Sequence, residues 1–590
     1  MSGLFYAARS PAEVNHIPRA EPPAVRASPH SYTDSAPQES YLGSAACSRC
    51  HAEIYGHFVR TSMGRSITQV TPESLRGIPG SGQVYDEKLD RHYEVSSHDG
   101  NLYQSEYQVD SQGKEVFRNT HRIDWIIGAK ANGAGALIKR GDYIFEAPLS
   151  FYAQTGKWDL SPGYQRGDYG FNRAIAPGCI FCHTGRAQPV PHTIGKYEST
   201  PFPELAIGCE NCHGPGAAHV RAMGLGDSYP HGKDPTIVNP AKLTPALADS
   251  ICMSCHQTGD TRVFQPGKSY QDFRPGMALD RVMAILMVPP TRDNPPSEDH
   301  VQHYYAMTMS KCYQASASNP TAKQMRCITC HDPHIEPTSA EAPAFFNGKC
   351  LTCHTAQSCK APAEVRSSRA PGNIANDNCI GCHMPKRDNA SISHSSLTNH
   401  RIVARADEPY PSVAFEETTP ALPDLIHLNR IQGDHSALPA VTLLQAYDQL
   451  KEQRPEYLAS YLKTLSELQK DEPGNAIVQA AAGHRDLVNG KLEEAAQHLQ
   501  NSLRLDPAQP MVYADLSAIA DQRGEAPEAL TLAQKAVILD PYSTALRKAL
   551  VLRLIHAKQY DEAETSMARY LEDFPEDEFM RKMLAIARQP

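Results

Sequence analysis

Fourteen of the sixteen cysteines fall into seven copies of one pattern, C-x-x-C-H. The copies are Cys47, Cys50 and His51; Cys179, Cys182 and His183; Cys209, Cys212 and His213; Cys252, Cys255 and His256; Cys327, Cys330 and His331; Cys350, Cys353 and His354; and Cys379, Cys382 and His383. They are called motifs 1 to 7 below. Two thiols three residues apart on a helical turn can each form a thioether with a haem vinyl group, and the histidine that follows is placed to hold the iron from the proximal side. C-x-x-C pairs also build zinc sites, but zinc does not demand histidine after every second cysteine. Only 26 of the 590 residues are histidine, so seven such placements in seven are not chance. The expected cofactor is haem c, seven groups, covalently attached.

Each iron has a second axial position, and its occupant decides whether the haem passes electrons or binds a substrate. His219 closes "CHGPGAAH" and His334 closes "CHDPH". Both lie too near their own motif to reach the far side of its iron, so each is expected to ligate a neighbouring haem. His400 in "TNHRI", His121 in "NTHRI" and His192 extend the set, with His57, His300, His303 and His394 behind them.

The elements that must position these groups fall into regions. Residues 1–40 are rich in Pro, Ala and Ser and read as an extended N-terminal arm. Residues 41–405 carry the motifs, with "AEIYGHFVRTSMGRS" after motif 1 expected to be a short helix. Between about 83 and 160 the pattern alternates apolar and polar around Asp99-Gly100, which predicts a hairpin, and "YIFEAPLSFYAQ" reads as another strand. The expectation is a mostly irregular and helical haem domain with a small antiparallel β insertion. A Pro-rich, acidic linker follows at 406–435.

From 436 to 590 the cysteines vanish and a 34-residue period appears. Pro473, Pro507, Pro541 and Pro575 keep that spacing, and Ala495, Ala529 and Ala563 keep it in phase. Such a period, with a small residue where helices cross, predicts an all-α solenoid of tetratricopeptide-repeat type. Net charge is -9 with no basic stripe, which argues against a nucleic-acid partner. No run of 18 apolar residues predicts a spanning helix. The first residues lack the features of a secretory signal, although haem c attachment is expected outside the cytoplasmic membrane. The expectation is therefore a periplasmic or extracellular protein whose natural leader has been removed or replaced.

The stretches "YLGSAACSRCHAEIYGHFVRTSMGRS", "CENCHGPGAAHV", "MRCITCHDPH" and "NCIGCHMPKRDNASISHSSLTNHRI" resemble the multihaem cytochromes related to the tetrahaem cytochrome c of ammonia oxidisers. That superfamily also takes in pentahaem nitrite reductase and octahaem hydroxylamine oxidoreductase. Over residues 41–590 the chain resembles bacterial proteins that join such a haem domain to tetratricopeptide repeats. In the superfamily an aromatic residue followed by Ser-x-His often supplies a distal ligand. The resemblance puts Met63 in that slot in "FVRTSMGRS" and Cys312 in "HYYAMTMSKC". Methionine is a haem ligand in its own right. For Cys312 three readings stand open: an axial thiolate with its pKa lowered by Lys311, a disulfide with Cys359, or a packed free thiol.

The resemblance does not carry a reaction across. No C-x-x-C-K occurs, and seven motifs stand where hydroxylamine oxidoreductase has eight. The leading expectation is an electron-transfer protein whose repeats dock a redox partner, a peptide or a second subunit. The alternative is an oxidoreductase of a small nitrogen or sulfur compound, working at a haem with unusual or vacant distal ligation.

Overall fold

The computed structural model describes residues 40–167, 169–229, 234–296, 302–318, 324–368, 378–386, 398–405, 407–415, 424–430 and 436–589. Nearly all of the arm, almost half of the linker, and His300 and His394 lie outside them.

Two antiparallel sheets follow motif 1. The first takes its four strands in chain order, Gly82–Asp86, Arg91–His98, Asn101–Val109 and Glu115–Arg122. The Asp99-Gly100 hairpin forms with His98 opposite Asn101 and positive φ at both turn residues, 52° and 74°. That is the two-residue turn whose twist suits paired strands. The second sheet runs Ile67–Gln69, Trp125–Ile127, Gly133–Arg140, Tyr143–Glu146 and Arg173–Ala174, with Leu149–Tyr152 and Lys157–Leu160 paired off its centre. Tyr93, Val95, Leu102, Ile126, Phe145 and Trp158 share one core between the sheets. Buried Gln104 joins them, donating to Leu149 O and accepting from Leu149 N, both at 2.9 Å.

The β region thus runs from Ile67 to Ala174, wider than the expected 83–160. Its outermost strands have two or three residues, too few to show an alternation. "YIFEAPLSFYAQ" is two strands rather than one, broken at Ala147-Pro148, where proline offers no N–H to a ladder. The helix after motif 1 is also shorter than expected, Ala52–Phe58, followed by a tight turn at Met63–Arg65. A further sheet joins Thr261–Phe264 and Met283–Met287 of the motif region to Ile426–His427 of the linker.

Three helical hairpins repeat every 34 residues: Ala476–Val488 with Leu492–Leu505, Pro510–Gln522 with Ala526–Leu539, and Thr544–His556 with Tyr560–Asp573. Ala495, Ala529 and Ala563 are buried at 0, 0 and 2% exposure, because each sits where two helices cross. At the first crossing Gly483 is required, since a Cβ there would lie 2.6 Å from Leu499. Asn475, Ser543 and Asp577 cap the helices that follow them.

The solenoid is fastened to the rest of the chain at both ends. Its leading pair, Ala440–Leu450 and Leu458–Asp471, shares a core with Val263, Ala284, Leu286 and Leu425. At the far end Asp573 pairs with Arg140 of the β region at 3.3 Å and with Arg547 at 2.5 Å, and its carbonyl accepts from Asn172 at 2.8 Å. The Arg140 guanidinium packs against the rings of Phe145 and Tyr542 at 4.1 and 4.8 Å.

Asp573→Ala leaves two partly buried guanidiniums without their shared carboxylate. A loss of about 1.5–3 kcal/mol is expected, read as a lower denaturation midpoint together with faster hydrogen exchange around Asn172. If neither moves, the contact contributes nothing to stability.

Candidate haem-attachment site

Each C-x-x-C-H motif forms or ends a short helix. In motifs 1, 3, 5 and 6 the histidine N–H donates to the carbonyl of the first cysteine at 2.9–3.0 Å. Motifs 2, 4 and 7 close the helices Pro177–His183, Pro245–His256 and Cys379–His383. One helical turn therefore brings two thiols and an imidazole together. Proline begins the second and fourth of these helices, and Asn378 caps the seventh by accepting from Gly381 N at 3.0 Å.

The motifs meet one another through their thiols. The sulfurs of Cys47 and Cys209, Cys182 and Cys255, Cys252 and Cys327, and Cys350 and Cys379 are neighbours. Cys212 neighbours Cys252, and Cys330 neighbours Cys350 and Cys353. These contacts form a series 1–3–4–5–6–7, with motif 2 joined at motif 4.

Three histidine pairs face each other across a gap. The ring centroids of His51 and His219 are 6.4 Å apart with planes at 19°, those of His213 and His334 6.1 Å at 18°, and those of His331 and His400 6.2 Å at 29°. Metal–nitrogen bonds of about 2 Å on opposite sides of one ion would set such rings roughly 6 Å apart. In each pair the second histidine follows the motif two places on: 3 for 1, 5 for 3, 7 for 5.

The other ring nitrogens are occupied as ligation requires. His219 Nδ1 lies 2.7 Å from Asp234 Oδ2, His213 Nδ1 2.8 Å from Val238 O, and His400 Nδ1 3.0 Å from Thr398 O. In motif 7, His383 Nδ1 is 2.6 Å from Val403 O. A proton held on Nδ1 leaves Nε2 as the donor atom. Burial pushes His213, His256 and His331 below the ordinary imidazole range, and His400 down to about 4, keeping these rings neutral.

The remaining candidates are placed differently. His303 meets His256 edge-on, 5.2 Å between centroids at 76°, and lies 4.3 Å from His400, so it does not face His256 across such a gap. His121 tilts onto Phe171 at 4.5 Å, beside Arg140 and Asp573 at the junction with the solenoid, where burial and then Arg140 push it down to about 4. Its "NTHRI" matches "TNHRI" in letters, but it is carried on a strand of the β region. His192 stands exposed in a turn with φ 60°. Among the described residues neither has a ring contact with a motif histidine.

Met63 lines the same cavity as the motifs. Its turn is held by Ser62 Oγ donating to Glu336 at 2.8 Å and by Ser66 Oγ donating to His183 O at 2.7 Å. Cys312 also lines the cavity, near Cys330, Cys350 and Cys353. Both Cys312 and Cys359 are free thiols, so the disulfide is not formed. Nor does Lys311 lower the thiol: it pairs with Glu408 at 3.1 Å, and burial raises the pKa of Cys312.

One pair of carboxylates escaped the sequence reading. Glu210, inside motif 3 and 2% exposed, accepts from Leu42 N at 3.1 Å, Gly43 N at 2.8 Å and Gly216 N at 2.7 Å. Glu204 accepts from Ser44 N at 2.8 Å. Together they receive the free N–H groups that open motif 1 and fix it against motif 3. A carboxylate within "CENCH" is the signal that could have pointed to Glu210.

Residues of motifs 2 to 7 line one continuous cavity of about 2850 Å³. Nine Lys and Arg side chains line it against four Asp and Glu, although the whole chain is net acidic at -9. Thiol pairs, neutral imidazoles and a basic wall suit a planar, dicarboxylate group attached through thioethers, and haem fits that description.

No family model matches the chain. Over 265 residues it is 25% identical to the multihaem cytochrome MtrA of Shewanella baltica (strain OS185), a stretch covering 42% of this chain and 67% of that protein. Among solved structures it is similar to the outer cell wall cytochrome OcwA, with a TM-score of 0.37 and 15% identity over 84% of this chain and 99% of that one. It is also similar to the MamA protein, with a TM-score of 0.19 and 17% identity over 23% of this chain and 82% of that one. The sequence likeness to a multihaem cytochrome agrees with the class that the attachment motifs define.

Glu210→Ala removes the acceptor of three backbone N–H groups. Faster amide exchange at Leu42, Gly43 and Gly216 is expected, with a loss of about 1–3 kcal/mol for the donors left behind. Unchanged protection at these amides would show that motif 1 is held by something else.

Proposed function

We propose that the chain is a multihaem c-type cytochrome that transfers electrons outside the cytoplasm, with one haem on each of its seven motifs. The observation that carries this reading is the set of facing imidazole pairs within an unbroken series of motif contacts. When bound, haem supplies one-electron exchange at iron.

The protein's part is to hold and orient. The cysteines would tether the haem, and the motif histidines, joined by His219, His334 and His400 for motifs 1, 3 and 5, would hold its iron. Asp234 and the Val238 and Thr398 carbonyls hold the Nδ1 protons of His219, His213 and His400, which fixes the rings and strengthens Nε2 as a donor. At motifs 1, 3 and 5 two neutral imidazoles would both be taken up by the iron, the condition for passing electrons without substrate chemistry. A thread of such sites needs a redox partner protein at each end.

The solenoid serves in cis as a strut between the sheet at Thr261–Phe264 and the β region, which its two anchored ends support. A peptide partner or a second subunit would have to use faces that these ends leave open. Among the described residues no helix is long and apolar enough to cross a membrane, and haem c attachment favours the periplasm or the exterior. Oxidation or reduction of a small nitrogen or sulfur compound takes second place. Cys312, on which that reading leans, is a half-buried thiol beside Cys330, Cys350 and Cys353, and burial raises its pKa.

The intact mass of the purified protein should exceed the polypeptide's by seven haems, and its ferric spectrum should be dominated by low-spin iron. His219→Ala, His334→Ala and His400→Ala should each convert one haem to the high-spin form. A wholly high-spin wild type, or three variants with the wild-type spectrum, would overturn the assignment.

A further inference from the structure

The three facing imidazole pairs differ in what holds the outer nitrogen of the ring. His219, on the helix Ala217–Gly224, has Nδ1 2.7 Å from Asp234 Oδ2, and the two side chains are 21% and 16% exposed. The other oxygen of Asp234 accepts from Thr236 N at 2.7 Å and from Thr236 Oγ1 at 2.5 Å. Both oxygens are thus engaged, and the carboxylate is fixed against the ring rather than swinging in solvent.

The other two pairs are served by neutral acceptors, Val238 O for His213 and Thr398 O for His400. His334 does have a carboxylate near its ring, Asp332 at 3.3 Å, but these side chains are 38% and 40% exposed. The same Asp332 oxygen already accepts from the His334 backbone N–H at 2.9 Å. Water and salt screen that exposed contact, and its length leaves it well short of the Asp234 bond.

Other charges stand around motif 1. Glu204 and Glu210 lie beside Cys47 and add charge of the same sign as Asp234. Glu210 belongs to motif 3 as well, so the difference between those two sites rests on Asp234. Arg49 and Arg60 are exposed, and Arg186 lies over the ring of Tyr41 at 3.6 Å rather than over the pair.

A carboxylate that shares the Nδ1 proton makes the far nitrogen a stronger donor, and its negative charge opposes an added electron. Both effects favour the oxidised metal. We infer that Asp234 is a positioning residue that makes motif 1 the site of lowest reduction potential among the three facing pairs. The inference deepens the haem reading above and rests on it. Motif 1 begins the series of motif contacts, so an electron delivered there by a reduced partner protein moves inward to motif 3. One electron leaves the first site and enters the second, and no bond is made or broken.

The haem count and the low-spin spectrum of the wild type are taken first, because without them the underlying reading fails before this one is reached. Spectroelectrochemical titration then compares His219→Ala, His334→Ala and His400→Ala. The low-spin step lost in His219→Ala should lie below the steps lost in the other two. Asp234→Asn, which keeps an acceptor but removes the charge, should move that lowest step to higher potential, and Asp234→Glu should restore it toward the wild type. A step for His219→Ala that lies above either of the others overturns the inference. So does an Asp234→Asn protein that keeps every haem low-spin and titrates as the wild type.

Discussion

A flat ring held about one metal ion and two bonds from another flat ring is the constraint on which the haem-binding region depends. His51 and His219, His213 and His334, and His331 and His400 meet it, and each pair ties one motif to the segment behind the motif two places on. The ties overlap like stitches, so a chain with few long elements there is still held in one order. Little else is available to hold it. Between 324 and 386 the described residues that are fully buried are Arg326, Pro343 and Asn347. A stretch with so little interior of its own would gain one from a bound cofactor, which would couple its folding to attachment.

The β region and the solenoid are built the opposite way, from packed apolar side chains. Their cores are filled by their own side chains, and they are joined to one another through Asp573, Arg140 and Asn172. The division is physical: precise spacing of binding groups comes from short turns, and the rigidity those turns lack comes from the frame around them. Glu210 and Glu204 do the same locally, lending backbone acceptors to a motif too short to satisfy its own helix end.

The attachment motifs were legible in the sequence because covalent chemistry permits one spacing. His219, His334 and His400 were legible as candidates because each follows a motif closely. Their pairings were not, since a ligand that skips a motif leaves no trace in linear distance. The solenoid showed itself through a period that each repeat must keep to stack on the next. The extra strands at Ile67–Gln69 and Arg173–Ala174 were too short to alternate. His121 looked like a ligand by its neighbours in sequence, yet its strand sets its ring against Phe171, beside Arg140 and Asp573. The state of Cys312 depended on Lys311, whose partner Glu408 lies 97 residues further on.

Motif 4 is where these threads meet. Its thiols contact those of motifs 2, 3 and 5, and the guanidiniums of Arg262 and Arg326 flank it. The chain is acidic overall, while nine Lys and Arg against four Asp and Glu line the cavity that motifs 2 to 7 share, so a group held in that cavity meets a local charge opposite in sign to that of the whole chain.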